Sequence, residues 1–123
     1  MRGEANKNTQ VIFSSTARTA TVSATMNCPT LGGAFIINCT AKTSTPSVTF
    51  TVAGVDPASD TAYTILTSAA ITGTGTTVLR IHPSLTAATN TIAKDFLPAG
   101  LKITATHGNT DSITYSVGFA GVN

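Results

Sequence analysis

Charged side chains are scarce in this sequence: they make up 10% of its 123 residues, against about 25% in an ordinary soluble domain. Five are acidic, and Glu4 is the single glutamate. A hydrolase built on two neighbouring carboxylates therefore has little to draw on, and no enzymatic activity is expected. The seven basic residues, Arg2, Lys7, Arg18, Lys42, Arg80, Lys94 and Lys102, are scattered singly along the chain. Tryptophan is absent and aromatic residues total 6%. Nucleic-acid binding normally needs clustered Lys/Arg with stacking rings, so it is not expected, and neither is adhesion to an anionic membrane surface.

Long apolar runs are also missing. The longest, "AFII" and "VLRI", have the length of strands, and "MRGEANKNTQVIF" contains no stretch of signal-peptide length. Neither export nor a membrane span is expected. Cysteine is limited to Cys28 and Cys39, which in that setting read as buried thiols rather than a disulfide. The two imidazoles, His82 and His107, lack a nucleophile elbow of the form Gly-x-Ser-x-Gly. Their spacing from the cysteines is not that of a zinc finger. His82 precedes a proline at a strand end and His107 opens a turn, so both read as solvated turn histidines. No cofactor and no small-molecule substrate are implied.

What the chain has in abundance is threonine, a β-branched residue whose hydroxyl tolerates water, set in two-residue alternation with apolar side chains. That period recurs at Gln10–Ser15, Arg18–Met26, Ala34–Lys42, Val48–Val55, Tyr63–Ala70, Thr76–His82, Leu101–His107 and Ser112–Val122. Between these segments lie "NCPTLGG", "TSTPS", "DPASD", "TGTG" and "GNTD", whose Gly, Pro, Asn, Asp and Ser supply turn dihedrals and local hydrogen bonds. The fold expected is an all-β antiparallel sandwich of about eight strands over residues 10–123, with a jelly roll or small barrel as the alternative. Leu101, Ile103 and Ala105 share one face of their strand, and Ile113, Tyr115, Val117 and Phe119 share one face of theirs. With "HGNTD" between them, the two strands are expected to form a hairpin.

Two segments invite a functional question. Asp56 and Asp60 in "DPASD" could begin a calcium site, but calcium takes six to eight oxygens, and the alternating Asp/Asn/Gly pattern and closing Glu are missing. An Asp before Pro has a simpler use, accepting a backbone N–H two residues on, and the loop is expected to be a metal-free turn. The second segment is "HPSLTAATNTIAKDFLPAG", residues 82–100, which is long for a connection and carries Leu85, Ile92, Phe96 and Leu97. It is expected to cross between sheets and to lie at a contact between subunits. "GTGTT" lacks the lysine and helix of a phosphate loop, and the triplet Asn38-Cys39-Thr40 sits inside a strand, where glycosylation is not expected.

From residue 8 onward, the stretches "VTFTVAGVDPASDTAYTILTSAAITGTGTTVLRIHPSLTAATN", "DFLPAGLKI" and "THGNTDSITYSVGF" resemble a family of small β-rich virion proteins of tailed bacteriophages. The resemblance implies a structural part of the particle, a decoration or cement protein on the capsid surface. It further implies the major capsid protein as partner, a homotrimer at local three-fold positions, and assembly in the host cytoplasm. It transfers no functional residue. Residues 1–9 are expected to form a polar arm that docks on the capsid through Arg2 and Lys7, with Gln10 beside them. A host-binding module on a head fibre or tail is the alternative, although it would use loop-tip aromatics, of which only Tyr63 and Phe96 stand out.

Overall fold

The computed structural model describes residues 8 to 123, which form nine strands. In chain order they are β1 (Thr9–Arg18), β2 (Val22–Asn27), β3 (Gly32–Lys42), β4 (Val48–Val55), β5 (Ala62–Thr67), β6 (Gly75–Ile81), β7 (Ile92–Ala93), β8 (Gly100–His107) and β9 (Ile113–Val122). A five-stranded sheet has the order β1-β9-β3-β6-β7, and a four-stranded sheet the order β2-β8-β4-β5. All eight alternating segments are strands. β1 begins at Thr9, paired with Ala120, so the sheet takes in one residue that the sequence assigns to the arm.

The pairings explain the topology. β1 pairs with β9, β2 with β8, β3 with β6 and β4 with β5, all antiparallel, so the first half of the chain runs back along the second as one long ribbon. Rolling that ribbon inserts β9 between β1 and β3 and β8 between β2 and β4. This is the strand order of a jelly roll, the form that the sequence leaves open beside a plain sandwich. The tight turn at the closed end of the ribbon is the "DPASD" loop between β4 and β5.

The expected hairpin between Leu101–His107 and Ser112–Val122 does not form, because β8 and β9 belong to opposite sheets. Their connection is an arch, held by its neighbour rather than by itself. Gly108 N donates to Ser47 O (2.8 Å), Asn109 Nδ2 to Thr45 O (2.9 Å) and Thr45 N to Asp111 Oδ2 (3.2 Å). Two arches, β3–β4 and β8–β9, thus lie side by side and satisfy each other's backbone groups.

The core lies between the sheets. Phe35 and Phe119 pack at a tilt of 48° with centroids 5.0 Å apart, while Phe50 from the four-stranded sheet meets Tyr115 from the other edge-on at 5.1 Å. Ile37, Leu79, Ile81, Leu101, Ile103 and Ile113 are essentially inaccessible to solvent, each side chain contributing about 1.5–3 kcal/mol. Cys28 and Cys39 are buried free thiols, and burial pushes the Cys39 thiol up from its ordinary range.

Residues 82–100 do cross between sheets, and they also carry β7, which runs parallel to β6 and extends the five-stranded sheet. Arg80 N donates to Thr91 O (2.9 Å), and Asn90, in the left-handed region at φ 63°, donates its side-chain amide to Thr67 O (2.9 Å).

Candidate functional site

The outer face of the five-stranded sheet is the surface that burial alone does not explain. Directly paired residues share a face, so two cross-strand rows can be read from the register. One is Val11–Gly118–Ile36–Val78, and the next is Thr9–Ala120–Ala34–Arg80–Ile92. In these nine positions Arg80 is the single charge. Val11 is 77% exposed, and Gly118 leaves open space above the sheet, where an added Cβ would meet nothing nearer than 3.9 Å.

Beside the second row runs an open groove of about 410 Å³. Its floor is Ala34, Ala120 and Val122, its far wall Leu85, His82 and Ser84, and Arg80 and Asn123 border it. His82 Nδ1 accepts the Ser84 backbone N–H (3.0 Å) and lies 2.8 Å from Ser84 Oγ, so the neutral ring carries its proton on Nε2 and the hydroxyl donates to Nδ1. Among the described residues no hydrogen bond reaches Nε2. The orienting acid of a nucleophilic triad therefore has no counterpart there, and the pair acts as a turn lock.

At the same end of the sandwich, Leu97 N donates to Leu31 O (2.8 Å) and Leu31 N donates to Asn123 Oδ1 (3.3 Å). These bonds bring Leu31, Phe96 and Val122 together; they are 43%, 53% and 45% exposed. Groove, second row and rim meet at this end of the sandwich and expose apolar side chains beside the polar Arg80, His82, Ser84 and Asn123.

The residues proposed from sequence separate into distinct fates. Leu85 lines the groove, Ile92 ends the second row, and Phe96 stands at the rim. Leu97 does not belong to this surface: it is buried in the chain's own core, closing the end of the sandwich. Gln10 is engaged within the molecule, its amide donating to Asn27 O (3.0 Å) and so tying β1 of one sheet to β2 of the other. Arg2 and Lys7 lie outside the described residues.

The Asp56 loop is a turn built on its own carboxylate. Asp56 Oδ1 accepts the Ala58 N–H (2.9 Å), Oδ2 accepts the Ser59 hydroxyl (2.8 Å), and Asp60 closes the turn at φ 62° with its N–H on Asp56 O (2.8 Å). The Ala58 N–H, and then the Ser59 hydroxyl, hold the carboxyl below its usual range. Among the described residues no group of three or more His, Cys, Asp and Glu gathers in a metal-binding arrangement.

His107 is not the solvated turn residue the sequence suggests. Its Nε2 lies 3.0 Å from Tyr115 Oη, and its Nδ1 is buried with no partner. Burial lowers its pKa, and the Arg18 guanidinium adds to the effect. Arg18 lies over the Tyr115 ring (4.6 Å) and over Phe13 (5.3 Å). It donates to the carbonyls of Tyr115 (2.8 Å), Ser14 (2.8 Å) and Thr16 (3.2 Å). This cluster joins both sheets at the end opposite the groove-side rim residues in register, and its bonds are structural.

One sequence signal does point to the outer face. "AFII" in β3 is apolar at both parities, as in strands covered on both sides, and in β6 Val78 is apolar on the outward side although Arg80 shares that side. No family model, no curated protein and no solved structure matches the chain.

Proposed function

We propose that this chain is a structural protein of a virion, decorating the outer surface of a tailed-phage capsid as a homotrimer and strengthening contacts between capsomers. The observation that carries the reading is the outer face of the five-stranded sheet, where two rows, nine positions in all, are apolar or glycine except for Thr9 and Arg80 and include the exposed Val11. A surface like this favours permanent association with protein. Supporting it are the resemblance of the quoted stretches, most of the chain from residue 8 onward, to small β-rich phage proteins and the jelly-roll strand order, which capsid proteins use along with lectins and cupins.

Such a protein needs no catalysis. Apolar area contributes roughly 25 cal/mol per Å² buried, before the cost of association, and repetition over many sites multiplies a modest gain. Immunogold labelling of virions with an antibody to the chain tests this. Label over the head is expected; label confined to fibres or tail favours the host-binding alternative, and unlabelled particles overturn both.

A further inference from the structure

We infer that the groove bordered by Arg80 receives the Asp95–Phe96 corner of a second copy of this chain, the ring of Phe96 entering the groove and the Asp95 carboxylate meeting the Arg80 guanidinium. The inference rests on the self-association proposed above and names the surfaces that make it.

The groove defines its occupant. Ala34, Ala120 and Val122 offer apolar contact area on the sheet side, with Leu85 opposite and the polar His82, Ser84 and Asn123 also in the lining, so an apolar group with a polar neighbour suits it. Arg80 is exposed, and among the described residues its guanidinium has no ion pair or hydrogen bond, so a carboxylate should accompany that group. A guanidinium bordering an apolar groove is well suited to this, because its planar fork pairs with a carboxylate at two points.

The chain itself carries that combination. Of the four described carboxylates, Asp56 is engaged by Ala58 and Ser59, and Asp111 by Thr45. Asp60 closes the β4–β5 turn through its backbone N–H; its carboxylate is free among the described residues, but its chain neighbours are Ser59 and Thr61, with no apolar side chain beside it. Asp95 alone adjoins a large exposed apolar side chain, Phe96 at 53% exposure. Its Oδ1 accepts the Phe96 N–H (2.7 Å), and among the described residues Oδ2 has no hydrogen bond. Docking the corner would also cover Leu31 and Val122, which adjoin it. Every copy presents both corner and groove, so the contact can repeat around a closed ring or be exchanged within a pair.

Sedimentation equilibrium on the full chain, with Arg80→Asp, Asp95→Arg and the double exchange, tests the contact. The parent is expected above the 12.5 kDa monomer mass. Each single reversal should weaken association at least about tenfold, and the double exchange should restore it. Asp60→Lys should leave the mass unchanged. A monomeric parent, unaffected single reversals, or a double exchange no better than the singles overturns the inference. Should a reversal impair folding, Ala120→Tyr provides a second probe: it fills the groove from an exposed position, and unchanged association then overturns the inference. A dimeric parent with the exchange pattern intact upholds this contact and removes the trimer. Unaffected reversals together with labelled capsids remove the contact and leave the virion reading standing.

Discussion

His107 Nε2 and Tyr115 Oη meet at 3.0 Å across the two sheets, joining β8 to β9 where a hairpin was expected. The bond is polar and partly buried. Burial, followed by the Cys39 thiol, raises the Tyr115 phenol against an opposing effect of Arg18, and the net result is a pKa pushed up to about 12. Tyr115 therefore stays neutral at any ordinary pH.

His107 should make stability fall on acidification. Its folded-state pKa lies below the ordinary 6.5, so the unfolded chain binds the proton more readily. The associated stability is intact above about 6.5 and is lost as pH drops below that value toward the folded pKa. An imidazolium carries an N–H on both nitrogens, and at Nδ1 no acceptor waits; it would also set a cation near Arg18. Melting temperatures between pH 7.5 and 5.5 should decline more steeply for the parent than for His107→Gln. Equal slopes would show that the group does not couple to folding.

Arg18 acts as a clasp, and its loss should be felt. Arg18→Met keeps the aliphatic stem but removes the ring contacts and three carbonyl bonds, at a cost of about 2 kcal/mol. Arg18→Lys should recover less than half, since an ammonium cannot fork between carbonyls of β1 and β9. Urea denaturation measures both, and a lysine variant as stable as the parent would contradict the assignment.

Adjacent residues 96 and 97 should behave oppositely. Leu97→Ala opens a cavity in the core and should cost about 3 kcal/mol. Phe96→Asp should leave the fold intact and dissociate the assembly. Circular dichroism with light scattering separates the two effects, and an unfolded Phe96→Asp chain would place that ring in the core.

Gly33 is required by close approach. An added Cβ would lie 2.6 Å from the Phe119 ring and 2.7 Å from Ala120 O, so Gly33→Ala should cost on the order of 2 kcal/mol through overpacking. Gly73→Ala, with open space around it, should be near neutral in the same chemical denaturation series.

Calcium should leave the Asp56 loop unaffected. Titration calorimetry is expected to give no saturable heat in the micromolar range, because the carboxylate oxygens already accept the Ala58 N–H and the Ser59 hydroxyl. Asp56→Asn should preserve amide protection at Ala58, and Asp56→Ala should lose it.

The alternation of threonine with apolar residues was enough to locate eight strands, because a period of two is a property of the strand alone. Asp-Pro likewise specified its own turn, since the capping bond spans only two residues. The sequence left three things undecided. A stretch such as "HGNTD" supplies the same flexible, polar residues whether the chain turns back within a sheet or arches to the other one. That choice was made by the β3–β4 arch, more than sixty residues away, whose carbonyls its amides satisfy. The apolar content of residues 82–100 was visible, but irregular backbone has no period to say which side chain turns inward, so Leu97 and Phe96 could be told apart only by packing. Arg80, one basic residue among seven in the sequence, acquired significance only when sheet register set it beside Ala34, Ala120 and Ile92. A row across strands is made of residues distant in the chain, and only the tertiary structure assembles it.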